Sequence, residues 1–275
     1  MRVGIIGLGL MGGSLALSLK SLNFVKEIVG FDHNKTHQET ALKRGLVSTC
    51  VDMAEIEQCD VIFLAIPVDA IKALLQTFTC RNKDCTIIDL GSTKEAIVEA
   101  VPATIRPNFV AAHPMTGTEF FGPEAAIEGL YKDKVVVLCN LEESGKRQQE
   151  NAVRLFSGIH MRLIYMRANE HDRHAAFISH LPHAISYSLA NTVMKQEDKY
   201  SILAMAAGGF RSMSRLAKSS PQMWEDVFRQ NSENLLESIE LFERELHALK
   251  QNIINKEFDA VANAMHNANK LHDIL

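Results

Sequence analysis

The chain has 275 residues, 47% of them hydrophobic and 23% charged, with a net charge of −4, so it is long enough for two domains and apolar enough to build a substantial core. Its pI near 6.3 gives no basic footprint for nucleic acid, no apolar stretch reaches the roughly 18–20 residues that span a bilayer, and the first strand starts so close to Met1 that it leaves no room for a signal peptide, so a cytoplasmic protein is expected. Cys50, Cys59, Cys80, Cys85 and Cys139 lack the paired spacing of zinc or redox sites and read as small buried hydrophobes, although Cys80 and Cys85 are close enough in sequence to meet across a loop.

Residues 2–7 read as a buried strand running into Gly7-Leu8-Gly9-Leu10-Met11-Gly12, a Gly-x-Gly-x-x-Gly turn that opens a helix. Gly7 permits the tight turn, Gly9 lets the backbone approach a phosphate, and Gly12 lets the helix pack close on the strand. The helix then points its free N–H groups at the anion. A second apolar run at 27–31 ends in Asp32, about 20 residues past the glycines, where dinucleotide folds place an acid on the ribose hydroxyls. A carboxylate there accepts hydrogen bonds from a bare diol and repels a 2′-phosphate, which favours NAD over NADP, while His33 and Lys35 nearby leave room for NADP. The plainer alternative is a Gly-rich turn opening an ordinary helix, with a solvated Asp at a strand end.

Further apolar runs fall at 60–67, 86–90, 109–112, 135–138 and 161–165, with helix-like stretches between them. Together they give an α/β fold, a doubly wound, mostly parallel Rossmann-type sheet with added strands at its edge. Ligands of such sheets lie beyond the carboxyl ends of the strands, so Gly91-Ser92-Thr93-Lys94 and the loop from His113 through Thr118 and Glu119 are expected at the nicotinamide end. An imidazole suits proton removal from an alcohol that is losing hydride, which makes His113 a candidate base. Its bland alternative is a polar residue finishing a strand. Ser92 would bond the same hydroxyl or His113, or cap the helix that starts near Lys94.

From about residue 167 the apolar residues recur at intervals of three and four, and the rest of the chain reads as helical. Helices are expected near 169–195, 199–207, 221–249 and 255–274, punctuated by Gly208-Gly209 and Ser219-Ser220-Pro221. The domains are therefore 1–166, dinucleotide-binding, and 167–275, helical. Pro182 is expected to kink the first of these helices at a cleft. Apolar residues over 227–249 cover more than one face, as between domains or subunits. The cluster His171-Asp172-Arg173-His174 and His180-Leu181-Pro182-His183 lacks zinc-type spacing, so no metal is expected. His183 stands just past the kink, placed to reach a substrate or to pack in a core. Arg215 can clamp a carboxylate through two parallel bonds or stand as an exposed helical arginine, and Trp224 is core or cleft wall.

In these motifs the chain resembles the prephenate dehydrogenase family of tyrosine biosynthesis, including its arogenate-using and dual-specificity members, over essentially its whole length. The resemblance is carried by Gly-Leu-Gly-Leu-Met-Gly-Gly-Ser-Leu-Ala from Gly7, Asp-Leu-Gly-Ser-Thr-Lys from Asp89, His-Pro-Met-Thr-Gly-Thr-Glu from His113, Ser-His-Leu-Pro-His from Ser179 and Ser-Arg-Leu-Ala-Lys-Ser-Ser-Pro-Gln-Met-Trp from Ser214. It implies NAD as cofactor, held by Gly7, Gly9, Leu10, Met11, Gly12, Asp32, Ile66, Pro67 and Ser92, and oxidative decarboxylation of prephenate to 4-hydroxyphenylpyruvate. It further implies that His113 accepts a hydrogen bond from the ring hydroxyl and that Ser92 orients hydroxyl and cofactor. Arg215 would bind the substrate carboxylate beside Thr118, Glu119 and His183, and the helical half would build a homodimer. One departure is Ser212, where the family usually has Asp. Rival readings are a β-hydroxyacid dehydrogenase, which relies on a catalytic lysine in its helical half, and a non-catalytic NAD-sensing module on the same fold. The pairing of Ser92 with His113 at strand ends speaks against the second.

Overall fold

The computed structural model describes residues 1–79 and 82–274. Cys80, and with it the suggested meeting with Cys85, lies outside the described residues. The first part of the chain alternates strands and helices: β1 (Arg2–Ile6), α1 (Leu10–Leu19), β2 (Glu27–Phe31), α2 (Lys35–Lys43), β3 (Thr49–Cys50), α3 (Met53–Ile56), β4 (Val61–Leu64), α4 (Val68–Thr77), β5 (Thr86–Asp89), α5 (Glu95–Ala100), β6 (Phe109–Pro114), β7 (Val135–Cys139), α6 (Lys146–Gly158) and β8 (Arg162–Met166). The eight strands form one sheet in the order β3-β2-β1-β4-β5-β6-β7-β8. All neighbours are parallel except β6 and β7, so β7 and β8 are the added edge strands.

Strand periodicity sends alternate residues to opposite faces. Phe63, Ile88 and Val110 join Leu15 and Leu19 of α1 and Leu155 and Phe156 of α6 on one face. Ile62, Leu64, Ile87 and Phe109 join Ile71 and Leu75 of α4 and Ile97 of α5 on the other. Both faces are thus covered, which is why β4 reads as an unbroken apolar run. The strand order reverses direction between β1 and β4, the switch point at which ligands of open α/β sheets bind.

The helical part comprises α7 (Ala168–Ala175), a π-helical turn (Ala176–His180), α8 (Leu181–Met194), α9 (Lys199–Ala204), α10 (Gly208–Ser214), a 3₁₀ turn (Arg215–Lys218), α11 (Pro221–Gln230), α12 (Ser232–Ile254) and α13 (Phe258–Asn269). Several elements differ from the sequence expectation. The irregularity near Pro182 is the π-helical turn just before it. Pro182 has no N–H, so the wider turn relieves the ladder where its ring would clash. Gly208 and Gly209, expected to end a helix, are instead the first residues of α10. The single helix expected over 221–249 is broken at Asn231, where φ is −117° and ψ is 34°. Met1–Asn231 forms one compact unit, and a second runs from Ser232 onward, in which α12 packs on α13. No helix among the described residues is long and apolar enough to cross a membrane.

Candidate active site

Five of the expected site segments follow neighbouring strands at one edge of the sheet: Asp32 after β2, the glycine turn after β1, Ile66-Pro67 after β4, Ser92 after β5, and His113 in β6. His113 is the fifth residue of β6, paired with Val137 of β7, rather than the first residue of a loop. Its backbone is therefore held by sheet pairing with β7, beyond the last residue of β6 that pairs with β5.

The glycine turn is closed by contacts that exclude a side chain. Gly7 has φ +92°, and a Cβ there would lie 2.3 Å from the Ala65 carbonyl oxygen; a Cβ on Gly12 would lie 1.9 Å from the Gly7 oxygen. Gly9, in contrast, faces open space. It is the N-cap of α1, with no side chain capping the helix, so the first amides, including those of Leu10 and Met11, are left for an anion. Asp32 is 6% exposed. Its Oδ2 accepts from the Leu8 N–H at 2.9 Å and its Oδ1 from the Asn34 N–H at 2.9 Å, which fixes the carboxylate beside the turn. His33 and His37 stand 3.5 and 3.4 Å from its oxygens. A pyrophosphate seat and a rigid acid at the end of the second strand fit a dinucleotide.

At the next strands, an ion pair is sealed inside the protein. Asp89, at the end of β5, and Lys94, at the start of α5, are both fully buried and bonded to each other. Asp89 also accepts from the amides of Gly91 at 2.9 Å and Ala112 at 3.2 Å, and Lys94 Nζ donates to the Ala112 oxygen at 3.0 Å. The pair thus binds the Ser92 loop to the residue preceding His113. Ser92 is half-buried and does not cap α5. The cap comes instead from Asp172 of α7, whose Oδ1 accepts from Lys94 N–H at 2.7 Å and whose Oδ2 accepts from Glu95 N–H at 2.9 Å. The Ser92 hydroxyl bonds to no other described residue, which leaves it for a ligand.

His113 Nδ1 lies 2.7 Å from His171 Nε2, and His171 Nδ1 lies 2.7 Å from Asp172 Oδ1. Burial, then the neighbouring His171, Lys94 and His180, push the His113 pKa well below its ordinary value, so the imidazole is neutral and able to take a proton at physiological pH. Burial likewise pushes His180 down to about 4. Asn231 explains the helix break: its amide nitrogen donates to the Asp172 carbonyl at 2.7 Å and meets His180 Nδ1 at 3.1 Å.

A second group of the expected site residues lies on α8, the 3₁₀ turn and α11. His183 stacks on Trp224 with ring centroids 3.4 Å apart, and its Nδ1 bonds the Ser179 oxygen at 2.9 Å. Trp224 is buried, and its Nε1–H has no partner among the described residues. Ser186 accepts from the Ala217 N–H at 3.0 Å and Tyr187 donates to the Ser219 oxygen at 3.0 Å, docking the turn that carries Arg215 onto α8. Arg215 Nη1 reaches to 4.0 Å from Glu119 Oε2, joining the His113 loop to that turn. Thr118, in the same loop, accepts from the Phe120 amide at 3.2 Å. Thr93 donates to Gln230, whose amide donates to Asp69 of α4, so α11 is tied to the sheet edge as well. Among the described residues no three His, Cys, Asp or Glu side chains are arranged to hold a metal ion.

Asp89, Lys94, His171, Asp172 and Asn231 were not singled out individually from sequence. The usable signals were an acid and a lysine flanking one apolar strand end, and adjacent His171-Asp172 within a cluster weighed only for metal.

Two family models match the chain: "Prephenate dehydrogenase, nucleotide-binding domain" over residues 15–165 and "Prephenate dehydrogenase, dimerization domain" over residues 167–267. A curated relative, the prephenate dehydrogenase of Lactococcus lactis subsp. cremoris, is 33% identical over 100% of this chain and 77% of its own length. Prephenate dehydrogenase from A. aeolicus, solved with hydroxyphenyl propionate and NAD+, superposes with a TM-score of 0.90 at 30% identity, covering 100% of this chain and 98% of that one. Synechocystis arogenate dehydrogenase superposes with a TM-score of 0.81 at 25% identity over 99% of both chains.

Proposed function

The chain belongs to the prephenate dehydrogenase family, and from that premise we propose that it carries out the NAD-dependent oxidative decarboxylation of prephenate to 4-hydroxyphenylpyruvate. The observation that carries this reading is His113, a neutral imidazole held in β6 beside the end of β5, at the start of the segment whose Glu119 comes within 4.0 Å of Arg215. When bound, NAD supplies the acceptor for the hydride from ring C4. The glycine turn with Leu10 and Met11 holds its pyrophosphate, Asp32 its ribose diol, and Ile66, Pro67 and Ser92 the approach to its nicotinamide.

His113 takes the C4 hydroxyl proton as C4 is oxidised, and Ser92 orients that hydroxyl. It returns the proton to the oxygen when the C1–carboxylate bond breaks, the electron pair of that bond passing through the ring to the oxygen as carbon dioxide leaves, so the product is a neutral phenol and the imidazole is neutral again. Aromatisation drives the step, so the protein's work is placement together with proton acceptance. A cation held on the departing carboxylate would stabilise a charge that is being lost, so Arg215 serves the side-chain carboxylate instead. His183, Thr118 and Glu119 complete the substrate site. Arogenate carries an ammonium in place of the side-chain keto group, and Glu119, the carboxylate beside Arg215, is where it would pair.

Residues 1–166 bind the dinucleotide in this reading, and residues 167–275 bind substrate and pair two copies of the chain. Exposed Leu236, Leu241, Leu246 and Ile253 on α12 and Met265 on α13 form the kind of apolar surface that a second subunit covers. The free thiols of Cys50, Cys59 and Cys139 suit a reducing compartment, the cytoplasm. The test gives purified protein prephenate or arogenate with NAD or NADP and follows reduced nicotinamide. Turnover of prephenate with NAD supports the reading, and no turnover of either acid overturns it.

A further inference from the structure

Asp172 stands where three donors converge. Two are the backbone amides of Lys94 and Glu95, at 2.7 and 2.9 Å, and the third position is His171 Nδ1, at 2.7 Å from the oxygen that already accepts from Lys94. With both carboxylate oxygens serving as acceptors, His171 Nδ1 is the donor. In the neutral form of His171 that N–H is the ring's single one, so Nε2 carries a lone pair, and it faces His113 Nδ1 at 2.7 Å. Two lone pairs cannot meet at that distance, which puts the His113 proton on Nδ1 and leaves Nε2 bare. Neither partner has room to turn: His171 and Asp172 are each 2% exposed, the two imidazoles meet edge to face at 67°, and Asn231 holds the Asp172 backbone.

Resting on the reading of His113 as proton acceptor, we propose that His171 and Asp172 are positioning residues that lock His113 in the tautomer protonated at Nδ1, with Nε2 as the accepting atom. The same carboxylate caps α5, so one side chain sets both the protonation pattern of the base and the place of the Ser92 loop beside it. The groups facing this chain are His180 from the π-helical turn, Lys94 from the start of α5 with Asp89 of β5 paired to it, and Asp172 itself. All but the two acids oppose a second proton on His113.

The experiment compares His171→Leu, His171→Gln and Asp172→Asn with the wild type, together with imidazole ¹H–¹⁵N correlation spectra in which the His113 signals are assigned by their loss in His113→Asn. Asp172→Asn leaves one acceptor oxygen for the three donors that the carboxylate serves, so it no longer fixes the His171 proton on Nδ1 firmly and it loosens the α5 cap. Its kcat is expected to fall, by no more than the roughly 10²–10⁴-fold that a general base contributes. His171→Leu keeps the α5 cap but leaves the tautomer unset, and kcat is expected to fall at least about tenfold, with KM for substrate and dinucleotide within about threefold. The Gln oxygen accepts from His113 Nδ1, so His171→Gln is expected to recover most of the lost kcat, which a purely structural role would not produce. The wild-type spectrum is expected to show His113 protonated at Nδ1. A proton on Nε2 in that spectrum, or kcat for His171→Leu equal to wild type, would overturn the proposal whether or not every variant folds. Near-normal turnover in His113→Asn would instead sink the proton-acceptor reading beneath it.

Discussion

Replacing Lys94 by methionine keeps much of its length but removes the cation from a site with no access to water. Asp89 would then be a buried carboxylate with two backbone amides, those of Gly91 and Ala112, as its remaining donors. Breaking a buried pair by deleting one partner costs about 3–5 kcal/mol. For a cooperative unit of this size that corresponds to a Tm lower by about 6–20 °C. The deficit depends on pH. Burial already raises the Asp89 carboxyl above its ordinary value, and Lys94 is the largest influence holding it down, so without Lys94 it rises further. A carboxyl raised in the folded state binds more protons folded than unfolded, so stability falls as pH rises from the unfolded value near 4 through the folded one. Thermal melts of Lys94→Met are therefore expected to lie closest to wild type near pH 5 and to show the full deficit at pH 8. The double variant Lys94→Met/Asp89→Asn, which removes the orphaned charge, is expected to recover part of it. A Tm at pH 8 indistinguishable from wild type, or a deficit that grows on acidification, would refute the reasoning.

Gly12→Ala would place a Cβ 1.9 Å from the Gly7 oxygen, so it is expected to abolish measurable dinucleotide binding in a calorimetric titration; affinity near wild type would contradict the close packing of turn and helix. Arg215→Ala is expected to raise KM for the substrate with little change in kcat, and a defect confined to kcat in steady-state kinetics would argue against its role on the side-chain carboxylate. Because the His113 pKa lies below 6.5, the acid limb of kcat/KM is expected below pH 6.5, activity falling as the imidazole gains its proton; a limb above pH 7 would contradict the burial that sets it. His180, lowered to about 4, must charge on unfolding, so its contribution to stability is expected to fade as pH drops from about 6.5 toward 4. Replacing it by an uncharged residue should flatten the melting profile there.

The strands were legible because a sheet covered on both faces needs continuous apolar runs, and β4 shows one plainly. The candidate site residues were read from the strand ends, since ligands of open parallel sheets lie beyond the carboxyl edge, and the fold brings Asp32, the glycine turn, Ile66-Pro67, Ser92 and His113 to neighbouring strands. What sequence reasoning misplaced was set by contacts between distant segments. Capping α5 was one of the two roles open to Ser92 from sequence, but Asp172, 78 residues beyond Lys94, supplies the cap. Asn231 breaks an otherwise uninterrupted helical pattern because its side chain reaches Asp172 and His180, 59 and 51 residues away. Gly208 and Gly209 read as a stop signal, yet they begin α10, a helix that owes its place to packing against α8 rather than to propensity. The two residues of β3 are too few to carry an alternating pattern.

The account turns on whether the His113 imidazole accepts the proton of the ring alcohol. The measurement that reaches it most directly is single-turnover and steady-state oxidation of prephenate by His113→Asn, with substrate and dinucleotide affinities determined in parallel. A fall in kcat of about 10²–10⁴-fold with affinities near wild type is the predicted result; turnover close to wild type would contradict the account.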